Sequence, residues 1–428
     1  MNPTPIELAA TIIFALAVLH TFLVSKFAHI AHHYPEGSIG ENFFHFMAEV
    51  EAVFGMWAAV FIGVFIALEG TGAAINFLEH DVHFVEPAFV FVIMAMAGTR
   101  PVIKFAEQII VAISKVIPLP RKMAFFFTTC VVGPILGSFI TEPAAMTVTA
   151  LILLKNFYTR DMSTKFKYAT IGLLFVNVSI GGTLSHFAAP PVLMVATKWN
   201  WGFSHMLLNF GYKAAISCII SALTITFLFK NELQGDFQLR PDNNTKMHPP
   251  VWVTAIHLIF LALVVINVHH MVIFLGLFLF FLGFTVVTQE YQDEVNVKSS
   301  LMVGFFLAGL VVLGSKQAWW LQGVIASLGE QPLYFGATAL TGVTDNAALT
   351  YLGTLVELTD AKKYFLVAGA VTGGGLTVIA NAPNPAGFGI LKDSFGADGI
   401  SPLGLLKGAL FPTFIAILCF ELLPSLGM

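Results

Sequence analysis

A carboxylate inside a long apolar stretch is the feature that most limits this chain. Ser138-Phe139-Ile140-Thr141-Glu142-Pro143-Ala144-Ala145-Met146-Thr147 sets Glu142 beside a proline, where the flanking residues would otherwise read as apolar helix. Lipid offers no compensation for a charge there, so function is the default explanation. The motif recurs. Thr141-Glu142-Pro143-Ala144-Ala145-Met146-Thr147 is echoed by Thr344-Asp345-Asn346-Ala347-Ala348-Leu349-Thr350, with Glu/Asp and Met/Leu exchanged and Asn346 in place of Pro143. A second pair follows in the same order. Gly181-Gly182-Thr183-Leu184-Ser185-His186-Phe187-Ala188-Ala189-Pro190-Pro191 lies downstream of Glu142, and Gly373-Gly374-Gly375-Leu376-Thr377-Val378-Ile379-Ala380-Asn381-Ala382-Pro383 downstream of Asp345. Two motifs repeated in order, each the most polar part of an apolar segment, indicate a duplicated architecture.

Composition settles the class. Of 428 residues, 57% are hydrophobic and 11% charged, against about a quarter charged in soluble domains. Mean hydropathy is +0.82. The chain reads as an all-α polytopic membrane protein with about a dozen membrane-embedded segments. Those segments are too long and evenly apolar for the alternating strands of an outer-membrane barrel. A net charge of −4 argues against a nucleic-acid partner. Cys130, Cys218 and Cys419 sit singly, with neither disulfide nor metal spacing. The first apolar segment lacks a positive leader and reads as a retained helix.

The segment around Glu142, about residues 123–154, holds Gly133-Pro134 as well as Glu142-Pro143. A straight helix would not place two prolines and a carboxylate so. A helical hairpin with its tip near Thr141 would, since non-helical backbone at membrane depth is tolerated inside protein. Gly133 and Gly137 suit close packing within it. The following segment, about 168–197, is broken at Gly181-Gly182 and Pro190-Pro191. In the second half the corresponding regions are about 332–358 and 364–391. Lys230–Pro250 is the longest polar stretch, so residues 1–230 and 251–428 read as two repeats joined by the loop 231–250. Lys155, Arg160, Lys165 and Lys167 make a basic loop expected on the cytoplasmic side. Asn177-Val178-Ser179 and Asn243-Asn244-Thr245 match a glycosylation pattern by chance.

An ion crossing a bilayer must exchange its water shell for protein oxygens. A broken helix supplies them, because its unwound turn frees carbonyls and its half-helix ends carry partial charges. Gly181, Gly182, Pro190 and Pro191, with Gly373, Gly374, Gly375 and Pro383, suit such breaks. A simple packing kink is the plainer reading of either one alone. Thr141, Thr183, Ser185, Thr344, Asn346, Thr377, Asn381 and Asn384 add side-chain oxygens. Glu142 and Asp345 are the candidate sodium ligands and proton carriers. Burial moves carboxylate protonation towards neutral pH, so that sodium and proton compete for one group. Capping a helix N-terminus is the structural alternative for each.

In this order of motifs the chain resembles the ion transporter superfamily, which includes sodium/proton antiporters, arsenite and citrate carriers, and divalent-anion/sodium symporters. The wording T-E-P-A-A-M-T with G-G-T-L-S-H-F-A-A-P-P looks most like a bacterial group of sodium/proton antiporters. The resemblance implies two inverted repeats, each with a re-entrant hairpin and a broken helix, and a transport domain moving by an elevator on a scaffold that forms a homodimer. It also implies a secondary transporter in the bacterial inner membrane, exchanging Na⁺ for H⁺ without a cofactor. Dicarboxylate carriers of the superfamily have neutral hairpin tips, whereas this chain has Glu142 and Asp345, which favour small inorganic cations. A sodium-coupled carrier of a small anion or dicarboxylate is the alternative.

The histidines make a competing signal. His29-Ile30-Ala31-His32-His33 matches the H-x-x-H-H box of membrane di-iron hydroxylases and desaturases. Imidazole is a good iron ligand, but no second box is present. The same His29, His32 and His33 could sense pH, and an interfacial histidine-rich loop is the simplest reading.

Overall fold

The computed structural model describes residues 3–158, 162–235, 237–240, 247–396 and 399–427. Arg160 and Asn243-Asn244-Thr245 lie outside the described residues. Every regular element among the described residues is helical. Five helices are long and apolar enough to cross a membrane: Glu51–Glu69, Arg121–Ile140, Phe203–Leu228, Val297–Gly314 and Pro402–Leu422. A sixth span forms if the bent pair Thr71–Asp81 and Val85–Ala97 counts as one. Pro5–Thr21, Val251–Ile266 and Met271–Val287 are apolar but shorter. Several segments expected to be embedded are broken by their own Gly and Pro residues, so they fall short as continuous helices. The Gly98-Thr99-Arg100-Pro101 break ends one helix at Ala97 and starts another at Arg100. His269-His270 separates two helices rather than interrupting one.

The chain forms two compact units. One comprises Met1–Phe91, Val297–Gly329 and Tyr351–Thr359. Its helices meet through glycines, as where Gly309 lies against the backbone of Phe54 and Gly55. His29, His32 and His33 belong to this unit. His33 Nδ1 pairs with the His29 carbonyl at 2.9 Å, and the His32 ring meets His45 edge-on.

The other unit comprises Val92–Asn296, Glu330–Thr350 and Asp360–Met428, and holds both carboxylate motifs and both broken segments. Here the first expected hairpin forms. Its leading arm is Arg121–Ile140 and its trailing arm Glu142–Asn156. Gly133 faces Thr149 and Gly137 faces Ala145. As one partner advances by four residues the other retreats by four, so the arms are antiparallel. The leading arm runs parallel to the helix Thr164–Gly181: Asn177 donates to the Cys130 carbonyl at 2.9 Å, and Gly181 abuts the Pro134 carbonyl. Both partners advance together, from 130 to 134 and from 177 to 181. In the second half Glu330–Thr341 packs in the same sense on Asp360–Gly373, with Gly369 on the Tyr334 carbonyl and Gly373 on that of Thr338.

Helix Thr164–Gly181 also packs tightly on Pro402–Leu422. A Cβ on Gly172 would lie 2.2 Å from the Gly408 carbonyl carbon. Backbone cannot yield as a side-chain tip can, so Gly172→Leu should lower stability by about 1–3 kcal/mol or more. Gly63, with nothing within 4 Å of its added Cβ, is the control. In a fluorescence melt of detergent-purified protein, Gly172→Leu should lose several degrees while Gly63→Ala melts no lower than the parent.

Candidate functional site

The hairpin tip is a single residue, Thr141, at φ 71° and ψ 151°. A β-branched residue with positive φ is an outlier, worth about 1–3 kcal/mol of strain that the surroundings must hold. Its effect is directional. The leading arm ends at Ile140, and the trailing arm begins at once with Glu142 at its first position and Pro143 at its second. Pro143 needs no amide donor there and sets the helical φ. Glu142 is thereby fixed at a helix start inside the protein, with no solvent exposure.

Both broken segments are unwound where the sequence predicts. Thr164–Gly181 passes through a short 3₁₀ turn, Gly182–Leu184, into extended backbone at Ser185, and helix restarts at Pro190-Pro191. Asp360–Gly373 loses its helix at Gly374-Gly375, is extended at Thr377 and Asn381, and resumes with Asn384–Leu391 after Pro383. The helices leading into the two breaks pass each other antiparallel. Val176 lies against Gly375, and Ser179 donates to the Val371 carbonyl at 2.7 Å.

The Glu142 side chain meets both unwound segments. It rests on Gly182, where an added Cβ would lie 2.4 Å from Oε1 and 2.6 Å from Cγ. From the other segment, Asn381 Nδ2 donates to Oε2 at 3.0 Å. Among the described residues Glu142 Oε1, Asn381 Oδ1, Thr141 Oγ1 and Ser185 Oγ are buried with no hydrogen-bond donor. Leaving such atoms unpaired costs about 1–3 kcal/mol each, more for a charged group. An oxygen-rich set of this kind is the chemistry by which a hard cation is held.

The second motif is arranged differently. Asp345 is half-buried, and its Oδ1 accepts from the Ala347 and Ala348 amides at 2.7 and 3.2 Å, capping helix Asn346–Gly353. Asn346 is fully buried beside Gly374 and Ser179. Asn384 donates to the Gly374 and Thr377 carbonyls at 2.7 and 2.8 Å, bracing the unwound turn. Thr377 donates to the Gly342 carbonyl, and Thr183 to that of Ile180. Thr344 donates back to Leu340 within its own helix turn.

Two residues of the site were not singled out from sequence. Ser138 donates to the Gly181 carbonyl at 2.7 Å and accepts from the Leu184 amide at 2.9 Å, so one hydroxyl fastens the hairpin to the first break. Ser179 fastens the first broken helix to the second. Each is a polar residue one turn from a motif, which is the signal that could have found it.

Residues 5–423 match a family described as "Putative Na+/H+ antiporter". The chain belongs to this family. A search of curated proteins finds no match to the chain. As a member of an antiporter family the protein is a membrane transporter, not an enzyme. That removes the di-iron hydroxylase reading of His29, His32 and His33. Among the described residues no group of three or more His, Cys, Asp or Glu side chains could hold a metal.

The contact of Glu142 with Gly182 gives a direct test of this candidate site. Gly182→Ala should push the carboxylate off Asn381, because the three atoms nearest its added Cβ all belong to the Glu142 side chain. The rise in melting temperature on adding Na⁺ should then need at least about tenfold more salt, equivalent to about 1.4 kcal/mol.

Proposed function

We propose that the protein exchanges Na⁺ for H⁺, with Glu142 as the group that sodium and proton occupy in turn. The observation that carries this reading is a buried carboxylate held between two unwound helices, one oxygen on Asn381 and the other with no donor among the described residues. Sodium would take Glu142, the Asn381 oxygen and the hydroxyls of Thr141 and Ser185, with backbone carbonyls of the breaks completing the shell. A proton on Glu142 would remove the charge and release the ion. Asp345 would contribute a second negative charge that draws the cation and couples the proton, while Thr183, Thr344, Asn346, Thr377 and Asn384 would shape the second half of the site.

Glu142 and Asn381 are at most 1% exposed, and Thr183, Ser185, Asn346 and Asn384 not at all. A carrier needs such an occluded arrangement, whereas a channel needs a continuous wet path. Ion entry then requires movement. We propose that the hairpins and broken helices, about 121–197 and 332–393, move together as a transport domain in an elevator-like alternation, on a scaffold that pairs two copies in a bacterial inner membrane. The parallel arm-on-helix packing in each half, with the broken helices antiparallel, supports two inverted repeats, residues 1–230 and 251–428, joined by the loop 231–250. A pH-sensing role for His29, His32 and His33 is a separate expectation. Replacing all three should shift the pH profile of exchange, and an unchanged profile removes them.

The test is proton movement in proteoliposomes with an internal pH dye and an imposed proton gradient. Na⁺ should trigger a response that Glu142→Gln abolishes and Asn381→Ala weakens. Asp345→Asn keeps a residue that caps helices as well as Asp does, so it changes charge without losing the cap; it should slow exchange. Parental rates in Glu142→Gln would overturn the assignment, and in Asp345→Asn would remove that residue. Uptake of labelled succinate or citrate with no cation/proton exchange would favour the anion carrier.

A further inference from the structure

The histidines that the exchange site leaves unused sit in a small helical hairpin of the first compact unit. Helix Val24–Ala31 turns back into helix Ile39–Met47, and Phe44 stacks on Phe27 and Tyr34 with ring centroids 6.3 and 5.3 Å apart. The hairpin joins the apolar helix Pro5–Thr21 to Glu51–Glu69, which is long enough to cross a membrane. Both its ends therefore leave from membrane helices, while Lys26, Glu36, Glu41 and Glu49 keep it out of hydrocarbon. It belongs at the bilayer surface.

One face of it has no protein cover. Ile39, Phe43 and Phe46 share a side of helix Ile39–Met47 and are 89%, 54% and 46% exposed. Glu41 and His45, 3.5 Å apart, take the far side. A helix so divided lies in a lipid interface with its apolar side inward.

The hairpin also carries four exposed imidazoles in two pairs. The rings of His29 and His33 are 4.9 Å apart, and those of His32 and His45 5.8 Å. The charged groups around them are Lys26, Glu36 and Glu41, with Glu49 and Glu51 at the start of the next helix. His20 of helix Pro5–Thr21 meets the hairpin too. Trp57 donates to its Nδ1 at 3.1 Å and its Nε2 pairs with the Met47 carbonyl at 2.8 Å, so both nitrogens are engaged with the ring neutral. Over residues 24–51, one lysine and four glutamates give −3 with neutral histidines and +1 with all four protonated. The sign reverses in the range where histidine titrates.

We propose that this hairpin docks on anionic lipid headgroups when its histidines are protonated, with Ile39, Phe43 and Phe46 entering the headgroup boundary. An anionic leaflet attracts each cation held near it. The docked state binds more protons, so docking strengthens as pH falls. Lipid is the partner because the hairpin emerges from the bilayer at both ends. The inference does not rest on the exchange reading, since it concerns where the hairpin lies and not what is transported.

The experiment places a polarity-sensitive dye on Asn42→Cys, at an exposed position beside the apolar face; Cys130, Cys218 and Cys419 are buried. The full chain, one copy per nanodisc, is held in phosphatidylcholine alone or mixed with phosphatidylglycerol. From about pH 8 to about pH 5 the dye should brighten in the mixed discs and not in phosphatidylcholine. Concentrated potassium chloride should erase the step. Changing His29→Gln, His32→Gln, His33→Gln and His45→Gln together should remove it. If that variant fails to fold, Phe43→Ser should weaken docking about tenfold, from one aromatic ring left in water. A signal that does not change with pH, an equal step in phosphatidylcholine, or a step that survives the substitutions or the salt overturns the proposal. Brightening seen only with two copies per disc overturns it as well and assigns the face to a second copy of the chain.

Discussion

The contact on which the second compact unit depends is that of one carboxylate with two broken helices. Glu142 lies on the bare Cα of Gly182 and accepts from Asn381. Three stretches far apart in sequence meet there: a hairpin tip and the unwound centres of two helices. None could take its shape alone. Thr141 would leave its positive φ, and an isolated broken helix would lose its unpaired backbone to water or refold. Each is held because the others fill the space and supply the partners.

Close approach makes this possible, and glycine provides it. At Gly181, Gly373 and Gly375 an added Cβ would lie 2.8 Å or less from neighbouring backbone. These contacts bring helix axes near enough for the short side chains Ser138 and Ser179 to reach a backbone carbonyl on the neighbouring helix. In hydrocarbon no hydrophobic force drives helix against helix, so van der Waals fit and such hydrogen bonds carry the association. The glycines that unwind the helices therefore also pack them. This is why both motifs are rich in glycine rather than marked by one.

The two halves share a plan but differ in detail. Glu142 projects from a tight hairpin into the interior, whereas Asp345 turns back to cap its own short helix. Glu142 is itself the first residue of its helix, whereas Asp345 stands just before Asn346–Gly353 and accepts from the Ala347 and Ala348 amides. Two matching motifs thus hold their carboxylates in different surroundings.

The sequence by itself determined the membrane class, the hairpin with its tip at Thr141, the breaks at Gly181-Gly182 and Gly373-Gly375, and Glu142 as the residue to explain. Those features rest on local rules: a charge is costly in lipid, proline denies a donor, and glycine releases the backbone. Only the tertiary structure decided that Asn381, rather than Thr183 or Thr344, meets Glu142, that Ser138 and Ser179 tie the elements together, and that Asp345 is a helix cap. Those outcomes depend on which surfaces approach across more than two hundred residues of chain, as Glu142 and Asn381 do. Local periodicity carries no information about such pairings, because the same short polar side chain can serve its own turn or a distant helix equally well.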